Sequence, residues 1–289
     1  MSMVGMFLQQ PAVSMNVLAS MLSLPAWRWL HETQQAVAHS VFAQACNLRN
    51  EQGDWLSLVL PASGIGPFTV VVLLPEGCGF HDWLSPGMPA SVTPCAITLP
   101  SLTIHLTGAA LWQPCPDWSG AAPAPLAPAL APLITWLPPF SLAQSPYAVA
   151  AQTAQAALRT GLQQVDQAAC CDGAKQLGGM GPGLTPAGDD FLLGIMAALW
   201  LIWPVARARL FSQTIAAAAE PRTTPLSAAW LAAAAMGNVS IYWHQLLRAL
   251  SPVQIEALQA AVDAMLSVGA SSGADALAGF VWASQILVQ

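Results

Sequence analysis

The chain has 289 residues with a formal charge of −6; 55% of them are hydrophobic and only 8% charged, enough for one large or two modest domains with a generous core. Eight basic residues against fourteen acidic ones supply no basic face for a phosphate backbone, so nucleic acid is not an expected partner. The six cysteines show no C-x-x-C spacing and the N-terminus has no signal-peptide pattern, so a cytoplasmic protein is expected.

In chain order, residues 1–34 read as an N-terminal extension and residues 35–115 as a β-rich domain. Trp55 to Leu60 and Phe68 to Leu74 are rich in β-branched and bulky apolar residues, and further short strands fall near Val41, at Ala96 to Leu99 and at Leu102 to Leu106. Short strands broken by Gly and Pro, with no helical periodicity between them, predict an antiparallel sheet or small barrel. Residues 116–146 are dense in Pro and Ala and read as an extended connection.

Residues 147–289 turn helical, giving an α+β protein with a C-terminal all-helical domain. Helices are predicted at Tyr147 to Cys170, Pro186 to Trp203, Ala206 to Ala219, Pro225 to Met236, Ile241 to Leu250, Pro252 to Val268 and Gly273 to Val288. Thr185-Pro186, Thr224-Pro225 and Ser251-Pro252 each pair a capping residue with proline at the first helical position. The apolar run Phe191 to Val205 is too short for the roughly 18 residues of a membrane span, so it reads as a core helix.

The densest chemistry lies at Gly179-Met-Gly-Pro-Gly-Leu-Thr-Pro-Ala-Gly-Asp-Asp190. Gly181 and Gly183 let backbone N–H groups approach a ligand, Thr185 is placed to cap the next helix, and the positive helix end beyond Gly188 favours an anion. Asp189 and Asp190 would repel that anion unless something lies between. Either a hard cation such as Mg²⁺ bridges them to it, or the ligand offers N–H groups, as a carbamoyl or ureido group does. The plainer alternative is a tight turn whose acids complement the helix dipole.

Gly188, Asp190, Leu192 and Gly194 recur 85 residues later as Gly273, Asp275, Leu277 and Gly279, preceded by Ser272. Two helix starts that face each other across one site, with Asp190 and Asp275 pointing inward, are therefore expected; close packing of small residues is the competing account. Arg222, with Thr223 and Thr224 before a helix start, is placed either to bind a carboxylate or phosphate as a planar fork or to sit as a solvated loop residue. Lys175 either neutralises a loop-bound anion or sits on a solvated helix end, and His244 reads as a packed helix residue. No phosphate-binding P-loop, dinucleotide fingerprint, nucleophile elbow or H-E-x-x-H motif occurs.

The run G-x-G-P-G-L-T-P-x-G-D-D-F-L-x-G at Gly179 to Gly194, with S-G-A-D-x-L-x-G-F at Ser272 to Phe280, resembles a bacterial domain-of-unknown-function family that includes a subunit of oxamate carbamoyltransferase. The resemblance extends from about residue 35 to the end. It implies allantoin and purine-ureide catabolism, in which a carbamoyl group moves from oxalurate to phosphate with other protein subunits required. A small anionic ligand, whether phosphate, carbamoyl phosphate or a ureido acid, is then expected at Gly181, Gly183, Thr185, Gly188, Arg222, Thr223, Thr224, Ser272 and Gly273. Asp189, Asp190 and Asp275 are the expected catalytic acids, with Asp189 and Asp190 the ligands of any Mg²⁺. The competing class is a non-catalytic metabolite-binding or structural subunit of a multi-protein complex.

Overall fold

The structure is a computed structural model that describes residues 14–118, 126–250 and 253–288. The chain divides into two compact units, one ending at Trp112 and the other beginning at Gln113.

The first unit contains β1 (Met15–Ser23), α1 (Leu24–Glu32), β2 (Gln35–Val41), β3 (Ala45–Asn50), β4 (Trp55–Val59), β5 (Thr69–Leu73), β6 (Pro89–Thr93), β7 (Ala96–Leu99), β8 (Leu102–His105) and β9 (Ala110–Trp112). The strands run in the order β5-β4-β3-β2-β6-β7-β8-β1, and pairing of β1 with β5 closes them into a barrel, one of the two forms expected from the sequence. Closure removes the open edges of a flat sheet. The barrel is mixed: β1 runs parallel to β8 and β4 parallel to β5, while the other ring pairings are antiparallel. Period-2 alternation fills the interior, with Ala36 and Ala38, Ala90 and Val92, Ile97 and Leu99, and Leu102 and Ile104 all buried.

Residues 15–32, read from the sequence as part of an extension, belong inside this unit. A register shift between Ala19 and Met21 divides β1. Met15–Leu18 pair with β8, whereas Met21–Ser23 pair with β9. Ser23 then caps α1 by accepting from the Ala26 N–H at 3.2 Å and donates to the Pro67 carbonyl at 2.7 Å. Ser-Leu-Pro is itself a helix-start signature.

The second unit is helical: α2 (Leu126–Trp136), α3 (Ala148–Gln164), α4 (Gln167–Leu177), α5 (Ala187–Ile202), α6 (Val205–Ala219), α7 (Pro225–Ala235), α8 (Ile241–Leu250), α9 (Ile255–Leu266) and α10 (Ser272–Leu287). Two sequence expectations change. The stretch read as an extended connection holds α2, because Leu126, Ala129, Leu130 and Leu133 form one buried stripe despite Pro132 within the helix. The single helix expected over Tyr147 to Cys170 breaks at Val165, which takes a left-handed φ of 56°, and Asp166 restarts it by accepting from the Ala168 N–H at 2.8 Å. The Ser251-Pro252 start lies outside the described residues. Central α5 is buried around nearly its whole surface. No helix among the described residues is long and apolar enough to cross a membrane.

Candidate functional site

Helices α5 and α10 run side by side in the same direction. A Cβ on Gly194 would overlap the Ala276 carbonyl oxygen and lie 2.7 Å from the Phe280 nitrogen, and one on Gly279 would overlap the Phe191 carbonyl oxygen. At the starts, the Thr185 and Ser272 hydroxyls are 3.0 Å apart. Each helix is also gripped from behind. A Cβ on Gly188 would strike the Leu177 carbonyl at the end of α4, and one on Gly273 would strike the Met265 carbonyl near the end of α9. The sequence repeat is thus a structural repeat of helix, loop and helix, and small residues make its close approach possible.

The backbone repeats too. The Gly188 N–H turns back to the Met180 carbonyl at 2.9 Å, as the Gly273 N–H does to Val268 at 3.2 Å. The Asp190 N–H reaches the Pro186 carbonyl at 3.1 Å, as the Asp275 N–H reaches Ser271 at 2.9 Å. Parallel packing sets two positive helix ends beside each other, and the first-turn acids Asp189, Asp190 and Asp275 offset that charge.

All three acids are buried, and none has an ion-pair partner among the described residues. Their surroundings differ. Asp189 Oδ1 accepts from the Gly179 N–H at 2.9 Å, while Oδ2 accepts from the Ser227 hydroxyl at 2.8 Å and from the Thr223 hydroxyl. Asp275 Oδ1 and Oδ2 accept from the Ser141 N–H and hydroxyl, each at 2.9 Å. Asp190 is bonded by the hydroxyls of Ser272 and Thr185, yet its Oδ2 is buried with no partner. Leaving one oxygen of a buried carboxyl unpaired costs about 1–3 kcal/mol.

Burial raises the Asp189 carboxyl above its ordinary range, against the hydrogen bonds from Thr223, Gly179 and Ser227. Burial raises Asp190 further, with the charges of Asp275 and Asp189 adding to the shift and the Ser272 and Thr185 hydroxyls opposing it. Native protein therefore keeps protons on these acids at pH values where the unfolded chain has lost them. Their contribution to stability falls as pH rises from the unfolded carboxylate value of about 4 through the raised native values. The ligand-free thermal midpoint of Asp190→Asn should lie at or above that of the wild type at pH 7.5, with a flatter dependence on pH; a steeper wild-type-like decline in the variant would contradict this.

Most expected ligand contacts are engaged within the chain. Thr185 does not cap α5, whose start at Pro186 has no side-chain cap; it meets Ser272 instead. Thr224 caps α7, accepting from the Ser227 N–H at 3.1 Å, and donates to the Leu184 carbonyl at 2.5 Å. Gly181 and Gly183, with φ of 115° and 97°, shape the loop tip, and a Cβ on Gly183 would meet open space. Arg222 is exposed and lines an open depression of about 430 Å³ with Tyr147, Gln176, Gly178, Gly179, Met180 and Pro221. Lys175 lies on the solvated face of α4, 4.0 Å from Asp172. His244 is half-buried, with Nε2 3.2 Å from the Pro114 carbonyl, and desolvation lowers its pKa. Sequence reading missed Ser141 and Ser227; the position of Ser227 three residues after the Thr224 cap was the available signal for the latter.

Among the described residues, no group of three or more His, Cys, Asp or Glu side chains is arranged to hold a metal ion. The carboxylate oxygens that a cation would need on Asp189 and Asp275 are occupied by N–H and O–H donors.

Two family models match the chain: the oxamate carbamoyltransferase subunit AllH over residues 177–284, and the AllH family N-terminal domain over residues 12–111. The second includes β1 and α1, so the segment read as an extension is part of the family's own domain. No solved structure matches the chain.

Proposed function

Since the chain belongs to the AllH family of oxamate carbamoyltransferase subunits, we propose that the Gly179–Asp190 loop and the start of α10 form a ligand site used in carbamoyl transfer between oxalurate and phosphate. The observation that carries this reading is the buried, unpartnered Oδ2 of Asp190 beside two acids whose oxygens are filled. In this reading Asp190 accepts from the carbamoyl NH₂, and the Thr185 and Ser272 hydroxyls fix its plane. The Gly181 and Gly183 amides and Arg222 hold the anionic end. A phosphate oxygen attacks the carbamoyl carbon of oxalurate, and the C–N bond breaks to give carbamoyl phosphate and oxamate, whose nitrogen takes the proton. Catalysis of such a step rests on positioning and on charge stabilisation of a tetrahedral adduct. The other subunits of the enzyme complete the machinery in the cytoplasm.

An N–H donor prefers the ionised carboxylate, so affinity should rise with pH through the raised native value of Asp190 and then level off. The test is the thermal midpoint of the chain, alone and with its partner subunits, in the presence of oxalurate, oxamate, carbamoyl phosphate or phosphate. A ligand at about 100 times its Kd stabilises by about 2.7 kcal/mol, or about 5–10 °C for a unit of this size. Asp190→Asn should lose that shift while remaining folded. No shift with any ligand in either preparation would leave the subunit a structural or regulatory role.

A further inference from the structure

We infer that Asp275 is a positioning residue: its paired hydrogen bonds to Ser141 anchor a turn that backs the glycine loop and thereby place the loop and Asp190 for the ligand. The ligand arm of this inference rests on the function proposed above; the anchoring arm does not.

Asp190 and Asp275 hold equivalent places in the two helix-loop-helix repeats, with the same backbone bond four residues back and the same glycine four residues on. Equivalent carboxyls have met different fates. Asp190 keeps a bare oxygen, whereas both oxygens of Asp275 are taken by one residue, Ser141, through its N–H and its hydroxyl at 2.9 Å each. A two-point clamp of this kind fixes orientation as well as distance. It also fills the oxygens that a catalytic carboxylate would present to a substrate.

What the clamp holds is the single-turn 3-10 segment Ser141–Gln144. Pro138 and Pro139 precede it and donate no N–H, while within the turn the Ala143 N–H reaches the Phe140 carbonyl at 2.9 Å. The turn reaches the site from two sides. The ring of Phe140 lies 4.4 Å from that of Phe191, the residue after Asp190. Leu142, buried to 2% exposure, lies 3.6 Å from where a Cβ on Gly181 would stand. The turn then runs by way of Ser145, whose hydroxyl accepts from the Tyr147 N–H at 3.1 Å, into the wall of the depression that Arg222 lines. Releasing Ser141 therefore loosens the loop from behind and its neighbouring wall together.

The experiment compares the wild-type full chain with Ser141→Ala, Ser141→Thr and Asp275→Asn. In ligand-free protein, Ser141→Ala should speed amide hydrogen exchange about tenfold at residues 140–147 and 179–185, with exchange in α6 to α8 unchanged. Ser141→Thr should restore the wild-type rates. In the thermal-shift titration with oxalurate and carbamoyl phosphate, the half-saturating concentration should rise about three- to tenfold in Ser141→Ala and return in Ser141→Thr. Unchanged loop exchange in Ser141→Ala overturns the inference, as does a uniform rise across the helical unit. So does a pattern in which Asp275→Asn abolishes turnover while Ser141→Ala leaves both readouts at wild-type values, since Asp275 would then act on substrate directly. If wild type shows no ligand shift either alone or with its partner subunits, the proposed function fails, and the exchange measurement alone still decides whether Asp275 anchors the loop.

Discussion

Alanine at Gly194 is expected to destabilise the helical unit by about 3 kcal/mol or more, because the new Cβ meets backbone and not a flexible side chain. Its neighbours are the Ala276 carbonyl and the Phe280 nitrogen of α10, which move only if the helix moves. Gly279→Ala should cost a similar amount through the Phe191 carbonyl of α5. The double variant should cost less than the sum, since once one methyl has forced the helices apart the second finds room. Gly183→Ala is the control. Its Cβ enters open space, and only the φ of 97° is strained, so a loss of about 1 kcal/mol is expected. Urea unfolding followed through the tryptophans of this unit gives the comparison; a Gly194→Ala midpoint equal to that of Gly183→Ala would mean that the helices are not in backbone contact.

The second large effect concerns Asp189. Removing its carboxyl in Asp189→Ala strands the Gly179 N–H and the hydroxyls of Thr223 and Ser227, at a cost of about 2–4 kcal/mol. Asp189→Asn should lose much less. Its amide oxygen still accepts from Gly179, the two hydroxyls can turn to accept from the new NH₂, and no buried charge remains to be desolvated. The two variants should therefore separate clearly in midpoint, by an amount that does not change with pH, because neither retains the titrating carboxyl; only the wild type should lose stability at this site as pH rises through the raised native value. Equal losses in the two variants would show that the carboxyl itself is required, and that an amide of the same shape cannot replace it.

The site's scaffold was legible because this chain is so poor in charge. Two copies of a Gly-x-Asp-x-Leu-x-Gly pattern stand out when acids are few, and their spacing correctly brought two helix starts together. Pro at helix starts marked α5 and α7 to within a residue or two. The individual roles were less visible. Asp275 and Ser141 are separated by 134 residues, and no local pattern announces a clamp across that distance. Local signals were also masked where two rules conflicted: the shift between Ala19 and Met21 broke the alternation of β1, and Pro128 and Pro132 hid the apolar stripe of α2.

Closure of the barrel by β1 has a bearing on how the chain is made. Among the described residues this strand precedes every strand it pairs with: β5, β8 and β9 follow it by roughly 50 residues or more. During translation it must wait with its backbone donors and acceptors exposed, as must the later partner strands until they meet it. The ring forms last and through distant contacts, so folding of this unit should be slow relative to its size. Its nascent form is the stage at which a chain this apolar is most exposed to self-association.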